Sequence, residues 1–186
     1  GVCDPVGNLG VPLFSGLRLF DRYELLFLAF SNRELSPRAE HGRHALAIDE
    51  ERSDCPPTLW EEREGVKQVW FAGAHADVGG GYESHGLSDL ALEWMMQEVN
   101  DLDAGLRLLP SQLSQALAPD GLEDRHDETR GPVWRTRPDG NRKIPDNAEL
   151  HPSVLERLRQ RADYRPKALE TVSYTTLPTH ETVLVT

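Results

Sequence analysis

Cysteine is scarce in this sequence, and long apolar runs are absent from it. The 186 residues include two cysteines, Cys3 and Cys55, and neither belongs to a CxxC pair. The sequence therefore predicts neither a disulfide framework nor a structural zinc site, and we expect both thiols to pack as small apolar side chains. The longest apolar patch, Leu25 to Phe30, has the length of a strand. Because a membrane-spanning helix needs roughly 18 apolar residues, we expect no transmembrane segment.

Positive charge is also limited. The chain has 20 Lys and Arg residues against 31 Asp and Glu residues, which gives a formal net charge of −11 and a pI of about 5.0. Without a clustered basic face, it lacks the electrostatic footprint of a protein that binds phosphate backbones. We therefore expect no nucleic-acid partner. The hydrophobic content of 38% and the charged content of 27% are typical of a soluble protein with one core.

The stretch from Val66 to Tyr82 carries the strongest pattern in the chain. Within it, Val69 to Ala72 is a short run of β-branched and aromatic residues, which predicts a buried strand. A polar turn that contains His75 and Asp77 follows the strand. The turn ends in three consecutive glycines, Gly79, Gly80 and Gly81. A strand that ends in a glycine-rich turn with a His and an Asp is typical of the catalytic edge of an α/β sheet.

Asp77 has two interpretations. We favour one in which it orients the His75 loop or holds the glycine turn through an Asx-type hydrogen bond. In the other, Asp77 is a ligand. The glycines of the turn are expected to adopt positive φ and to allow close approach of the backbone. A phosphate-binding loop would need a Lys-Ser/Thr pair after the glycines, and the sequence has none there.

The remaining elements are short. Ser36 and Pro37 are typical of a helix start, and we expect that helix to continue to about Asp49. Tyr23 to Phe30 fits a helix or a strand, and residues 110–145 read as a long loop, either a lid or loosely ordered. Further predicted elements are a helix from about Asp89 to Asn100 with Ser88 as N-cap, a short helix from Pro152 to about Ala162, and one or two edge strands within Leu169 to Thr186.

Asp4 follows what reads as the end of a strand at the start of the chain. Aspartate is a common turn former there, and its position alone favours that role over a catalytic one. An imidazole at a sheet edge, with a carboxylate reachable from a neighbouring strand, is the base half of a nucleophilic triad. In α/β-hydrolases the order is nucleophile, acid, histidine, and Asp4 before His75 fits that order. The nucleophile would lie upstream on a G-x-S-x-G elbow, and none occurs in these 186 residues. We therefore expect an α/β fold that is the C-terminal part of an α/β-hydrolase, with the N-terminal part and its elbow missing.

Four ordered blocks of the chain resemble the α/β-hydrolase family typified by type VI secretion phospholipase effectors. They are GVCDPVG (1–7), HALAIDEERSDCPPTLW (44–60), QVWFAGAHADVGGGY with LSDLALEWM (68–96), and HPSVLERL with YRP (151–166). The resemblance covers most of residues 1–100 and thins across the tail. The sequence departs from the family pattern at Cys3, where Trp is usual, and at Pro5, where Thr is usual. Pro5 removes a backbone N–H beside the expected acid.

The resemblance implies a serine ester hydrolase of the lipase or phospholipase type, with Asp4 as triad acid, His75 as triad base and no cofactor. Since the serine is missing, it also implies that this chain alone is inactive. Residues 1–105 would form the C-terminal half of the catalytic domain, and residues 106–186 a loop-rich extension packed on it. The implied partners are a lipid or ester substrate, an immunity protein and the secretion apparatus. The implied location is the cytoplasm of the producing cell, followed by export through a type VI secretion system.

Two other functions stay open on the residues alone. One is a metal-dependent phosphoesterase that uses His75 and Asp77 as ligands, joined by Asp49 or His85. His-x-Asp is a weak signal for this chemistry, because two ligands do not make a metal site. The other is a non-catalytic module, a degenerate half of a hydrolase used for docking.

Overall fold

A five-stranded parallel sheet forms the centre of the protein, for which we use a computed structural model. The structure describes residues 1–6, 35–53, 55–102, 117–127, 140, 142–170 and 174–176. The strands lie side by side in chain order: β1 (Val2–Cys3), β2 (Gly42–Ala47), β3 (Val66–Phe71), β4 (Ala148–Leu150) and β5 (Tyr174–Thr176). The helices are α1 (His75–Gly79), α2 (Gly86–Asp101) and α3 (Pro152–Gln160), with a 3₁₀ turn at Lys167–Leu169. A parallel sheet flanked by helices confirms the predicted α/β class.

β3 is the strand that the apolar run from Val69 to Ala72 predicted. It pairs with β2 over its whole length, from Gly42 opposite Val66 to Ala47 opposite Phe71. The second half of β3 is buried, as expected for a strand covered on both faces of the sheet.

The predicted helix from Ser36 to about Asp49 is wrong, because Gly42–Ala47 forms strand β2. All six residues of β2 are buried, and the strand pairs in parallel with β1 on one side and β3 on the other. A strand buried on both faces has no polar alternation, so its sequence resembles that of a buried helix. Ser36 belongs to a turn, in which its carbonyl accepts from the Ala39 N–H at 2.9 Å. Tertiary burial therefore overrides the helical preference of alanine and leucine here.

Helix α2 exists where the sequence predicted a helix, but it begins earlier. Its N-cap is His85, and the predicted cap, Ser88, lies inside the first turn and donates its hydroxyl to the His85 carbonyl at 3.0 Å. The error has a physical basis, since serine in a first turn can bond to a preceding carbonyl instead of capping. One face of α2 packs on the sheet through Ala91 and Trp94, and Leu87 is also buried.

The core has two halves, one on each face of the sheet. Alternate residues of β2 and β3 point to opposite faces, as in any strand. The half beneath α1 and α2 contains Ala45, Ala47, Val69, Phe71, Val78, Ala91 and Trp94. The half beneath α3 contains Leu46, Ile48, Trp70, Ala72, Ile144, Ala148, Leu150, Val154, Tyr164 and Leu169. Helices on both faces leave the edges of the sheet as the places where polar side chains can gather.

The chain beyond residue 105 adds two strands to the same sheet. Helix α3 begins at Pro152 as predicted, and β5 is one strand within the predicted range Leu169 to Thr186. The described parts of the predicted loop, residues 117–127, 140 and 142–145, contain no helix or strand. The run from Tyr23 to Phe30 lies outside the described residues. None of the helices among the described residues has the length and apolar character needed to cross a membrane.

The two cysteines do not behave alike. Both are free thiols, and Cys55 is half-buried, but Cys3 is exposed. The expectation that both pack as small apolar side chains is therefore wrong for Cys3. Its strand, β1, lies at one edge of the described sheet, with β2 as its pairing partner. An edge strand covers its side chains less completely than an interior strand does.

Candidate active site

Three neighbouring strands bring polar side chains to one edge of the sheet. The chain leaves β1 at Asp4, leaves β2 at Asp49 and Glu50, and enters α1 at His75 shortly after β3. Because the strands are parallel, their carboxyl ends meet at the same edge, which is where open α/β sheets bind their ligands.

Asp4 and His75 are in direct contact, although 71 positions separate them in the sequence. The Asp4 Oδ2 lies 2.8 Å from the His75 Nδ1. The carboxylate is fully buried, whereas 34% of the imidazole surface is exposed. Asp4 has a φ of 42°, an uncommon left-handed conformation for a non-glycine residue. The structure thus brings together the two side chains that the sequence singled out as acid and base.

Arg142 also contacts Asp4, a contact that no sequence pattern indicated. Its Nη1 donates to Oδ1 at 3.1 Å and its Nη2 to Oδ2 at 2.8 Å, while the Ala47 N–H donates to Oδ1 at 3.1 Å. Burial raises the pKa of Asp4, but the His75 hydrogen bond, the Arg142 charge and the Ala47 N–H outweigh it and hold that pKa below the ordinary value. The carboxylate is therefore ionised at neutral pH.

Glu50 fixes the backbone of His75. The His75 N–H donates to the Glu50 Oε2 at 3.2 Å, at the start of α1. Arg52 donates to both oxygens of the same carboxylate at 2.8 Å. Burial raises the pKa of Glu50, but the hydrogen bonds and charge of Arg52 more than offset this and lower it overall. No sequence pattern singles out Glu50, because the segment before it is predicted to be a helix. Since that segment is strand β2, Glu50 follows a strand as Asp4 does.

Asp49, which follows strand β2, holds the turn between β3 and α1 in place. Asp49 bonds to Gly73 twice: its N–H donates to the Gly73 carbonyl at 3.0 Å, and its Oδ2 accepts from the Gly73 N–H at 2.7 Å. The Tyr164 hydroxyl donates to the same Oδ2 at 3.0 Å. Burial dominates and raises the pKa of Asp49. Gly73 has a φ of 117°, and a Cβ there would lie 2.5 Å from the Asp77 Cβ, so the turn needs a glycine.

Asp77 caps α1 and bonds to a distant segment. Its Oδ2 accepts from the Ala74 N–H at 2.9 Å and from the His126 N–H at 3.0 Å, and its Oδ1 lies 2.7 Å from the His126 Nδ1. The His126 ring stacks on Tyr82 with 3.6 Å between the centroids. The bond to Ala74 runs from Asp77 to a backbone N–H three positions earlier and caps the helix, so it differs from the predicted Asx-type bond, in which the side chain accepts from an N–H two positions further on. The His126 contact had no signal in the sequence, because residues 110–145 carry no motif.

The glycines after α1 follow the prediction in part. Gly80 and Gly81 have positive φ values of 84° and 133°. Gly79 is the last residue of α1. No atom of the described residues outside the local chain lies within 4 Å of a Cβ built at any of the three, so these glycines permit a backbone turn and do not bring the backbone close to another described element.

The other candidate ligands of a metal are engaged elsewhere. His85 pairs with Asp89 through an Nδ1–Oδ2 contact of 2.7 Å, and Asp49 bonds to Gly73 and Tyr164. Across the part of the chain that the structure describes, no group of three or more His, Cys, Asp or Glu side chains is arranged to hold a metal ion.

A cavity of about 550 Å³ lies at the opposite edge of the sheet. Val66 and Ala148, the first residues of β3 and β4, are in its lining, whereas Asp4 and His75 are not. Its size does not make it the candidate active site, because the convergent polar groups and the carboxylate of lowered pKa lie at the carboxyl edge.

Comparison with known proteins gives one family. The model of the family described as "T6SS, Phospholipase effector Tle1-like, catalytic domain" matches residues 1–98, a span that contains both Asp4 and His75. Neither the curated proteins nor the solved structures include a match to the chain. Since the family model covers more than half of the 186 residues, the chain belongs to the Tle1-like phospholipase effectors of type VI secretion, in their catalytic domain.

Proposed function

We propose that this chain supplies the acid and the base of a serine ester hydrolase with an α/β-hydrolase fold. His75 acts as the general base, and Asp4 orients it and stabilises the imidazolium that forms when the nucleophile loses its proton. The 2.8 Å contact between Asp4 and His75 carries the proposal, because it joins a buried carboxylate to a half-exposed imidazole at the carboxyl edge of a parallel sheet.

In this proposal the two ring nitrogens of His75 have separate tasks. Nδ1 faces the Asp4 carboxylate, so it carries a proton when Asp4 is ionised. Nε2 is then left to accept a proton from a hydroxyl nucleophile. The lowered pKa of Asp4 keeps its negative charge available beside the ring at neutral pH. This division of tasks is that of a nucleophilic triad.

The nucleophile is proposed to be a serine outside these residues. No G-x-S-x-G elbow occurs in the 186 residues, so the chain alone would be inactive and the serine would be contributed by an upstream part of the same protein. Residues 106–186 would pack as an extension on the same domain, which is supported by the addition of β4 and β5 to the sheet.

The proposed substrate is a phospholipid ester. The family match supports this class, and a simpler carboxylic ester is the second possibility to test. An effector of this kind acts after export from the cytoplasm of the producing cell, so its expected partners are the secretion apparatus and an immunity protein.

The test uses the full-length protein, including the sequence upstream of Gly1. Hydrolysis of phospholipid vesicles and of short-chain esters is compared between the wild type and His75→Ala, with circular dichroism to verify folding. We expect His75→Ala to abolish turnover of both substrates without unfolding the protein. Full activity in His75→Ala would place the base elsewhere, and loss of wild-type activity in strong chelator would favour a metal-dependent phosphoesterase.

A further inference from the structure

We propose that Arg142 is a positioning residue for the Asp4–His75 pair: its guanidinium spans both oxygens of the Asp4 carboxylate and fixes the plane of the carboxylate relative to the imidazole. The inference rests on the proposed function, in which Asp4 is the triad acid. Arg142 lies beyond residues 1–98, so the family match assigns it nothing.

The bonding around Asp4 leaves its carboxylate one orientation. Oδ1 accepts from Arg142 and from the Ala47 N–H, both at 3.1 Å. Oδ2 accepts from Arg142 at 2.8 Å and lies 2.8 Å from the His75 Nδ1. Rotation of the carboxylate would break the fork on Arg142 and the Ala47 bond together. A lysine could not replace this fork, because its single ammonium acts as a point charge and not as two parallel donors.

The Asp4–Arg142 ion pair is buried, so its desolvation cost makes a role in folding stability alone a poor explanation for it. The Asp4 side chain is fully buried, and the Arg142 side chain is 2% exposed. Desolvation of two charges offsets most of the attraction in a buried ion pair, so apolar side chains of similar volume often give equal stability. The ion pair has a second effect at this position, because it keeps Asp4 ionised and oriented towards His75.

Arg142 is itself held in place on both sides. Before it, the Gly140 N–H donates to the Glu51 carbonyl at 2.7 Å. A Cβ at Gly140 would lie 2.6 Å from the Ser53 Cα, so the two backbones meet at a distance that a larger residue would disturb. After it, Ile144 is buried in the core beneath α3. The guanidinium is therefore delivered to Asp4 by a segment that is fixed to the rest of the fold.

Five charged or titratable groups surround Asp4. His75 and Arg142 bond to it, while His44 on β2, Cys55 and the adjacent Cys3 on β1 interact with it electrostatically. Of these groups, Arg142 carries the permanent positive charge. Its loss should raise the pKa of Asp4, although the His75 and Ala47 hydrogen bonds would continue to lower it.

The experiment measures the Asp4 titration and the kinetics in the full-length protein. The titration of the Asp4 carboxyl is measured from its ¹³Cγ chemical shift as a function of pH in four proteins, which are the wild type, Arg142→Gln, Arg142→Lys and Arg43→Gln. Arg43→Gln is the matched control, since it also removes a buried arginine from a carboxylate, that of Glu98 at 2.6 Å, and the side chain of Arg43 bonds to Glu98, Gly42 and Gly65. We expect Arg142→Gln to raise the Asp4 midpoint and to lower kcat about 10-fold or more with KM little changed. Arg43→Gln should change neither quantity.

Arg142→Lys separates charge from orientation. Because the charge stays, we expect the Asp4 midpoint to remain close to that of the wild type, while kcat falls several-fold for lack of the fork. An unchanged Asp4 midpoint in folded Arg142→Gln would overturn the proposal. If Arg142→Gln does not fold, wild-type kcat in Arg142→Lys would overturn it instead. A raised Asp4 midpoint in Arg142→Gln, together with no esterase activity in the wild-type full-length protein, would support the Arg142–Asp4 contact and contradict the proposed function.

Discussion

Two aspartate–histidine pairs meet at α1, and they differ in what surrounds the carboxylate. The Nδ1–O distances are nearly equal, 2.8 Å for Asp4–His75 and 2.7 Å for Asp77–His126. The Asp4 carboxylate comes from a different strand and has Arg142 across both oxygens. The Asp77 carboxylate caps its own helix and also accepts from the backbone N–H of His126.

The comparison shows that a short hydrogen bond does not by itself identify a catalytic pair. Asp77 uses its oxygens to hold backbone groups, so its bond to His126 fastens residues 117–127 to α1. Asp4 bonds to one backbone N–H and otherwise to charged or titratable side chains. The environment of the carboxylate therefore separates a pair suited to proton transfer from a pair suited to attachment.

The largest expected difference between the pairs is in activity. In the full-length protein, His75→Ala should reduce kcat/KM by roughly 10³-fold or more, because the general base is lost. His126→Ala should reduce it by less than about 10-fold, since attachment and not proton transfer is removed. Esterase assays on the two variants, at matched folded fraction, check this. Equal losses in both variants would break the distinction.

Substitution of the two aspartates should show the same difference, with the larger loss of activity at Asp4. Asp4→Asn is expected to lower kcat by about 10²- to 10⁴-fold, since the amide no longer stabilises the imidazolium. Asp77→Asn should leave kcat within about 10-fold and cost about 1–3 kcal/mol of unfolding free energy, because the amide keeps only one acceptor oxygen for the contacts that two carboxylate oxygens make. Kinetics and urea unfolding on both variants give the comparison. A catalytic loss in Asp77→Asn as large as that in Asp4→Asn would contradict it.

Gly73 lets us test whether both pairs depend on one turn. Gly73→Ala places a Cβ 2.5 Å from the Asp77 Cβ, at a φ of 117°. We therefore expect the unfolding free energy to fall by about 1–3 kcal/mol and the esterase activity to decrease. Gly80→Ala is the matched control, with a positive φ of 84° and nothing within 4 Å of its Cβ. Urea unfolding should show the larger loss for Gly73→Ala, and equal losses would mean that the contact with Asp77 is unimportant.

His44 and His151 bond to Gln68 and Ser153 and make no hydrogen bond to a carboxylate among the described residues, so they extend the comparison to pH. Burial lowers the pKa of His44 and of His151 to about 4. The unfolded chain takes up these protons near pH 6.5, so both contributions to stability are complete above that pH and are lost as the pH falls towards 4. We expect a decrease of about 2–3 kcal/mol for each histidine over this range. His151→Asn keeps an N-cap acceptor for α3 and should make the urea-derived pH dependence shallower, and an unchanged slope would argue against a buried neutral ring.

Much of the candidate site could be predicted from the sequence because its two principal residues follow strands. A parallel sheet brings strand ends together, so Asp4 and His75 could be expected to meet before any distance was known. The buried run of β3 and the polar turn after it also have distinct local patterns.

The remainder depends on contacts that local patterns do not encode. β2 is covered on both faces, so nothing in its alternation separates it from a helix. Arg142 and His126 come from a stretch without motifs, and their partners lie 138 and 49 positions away in the sequence. An isolated arginine or histidine in a loop looks the same whether it faces solvent or a buried carboxylate, until the fold is known.

The most direct test of the central claim is labelling of the full-length protein by a fluorophosphonate probe. Such a probe reacts with an activated serine, and the rate of labelling reports the base that activates it. We predict a single labelled serine upstream of Gly1, labelled slowly or not at all in His75→Ala and at nearly the wild-type rate in His126→Ala. Labelling at the wild-type rate in His75→Ala, or no labelled serine in an active protein, would contradict the assignment of Asp4 and His75 as the acid and base of a serine hydrolase.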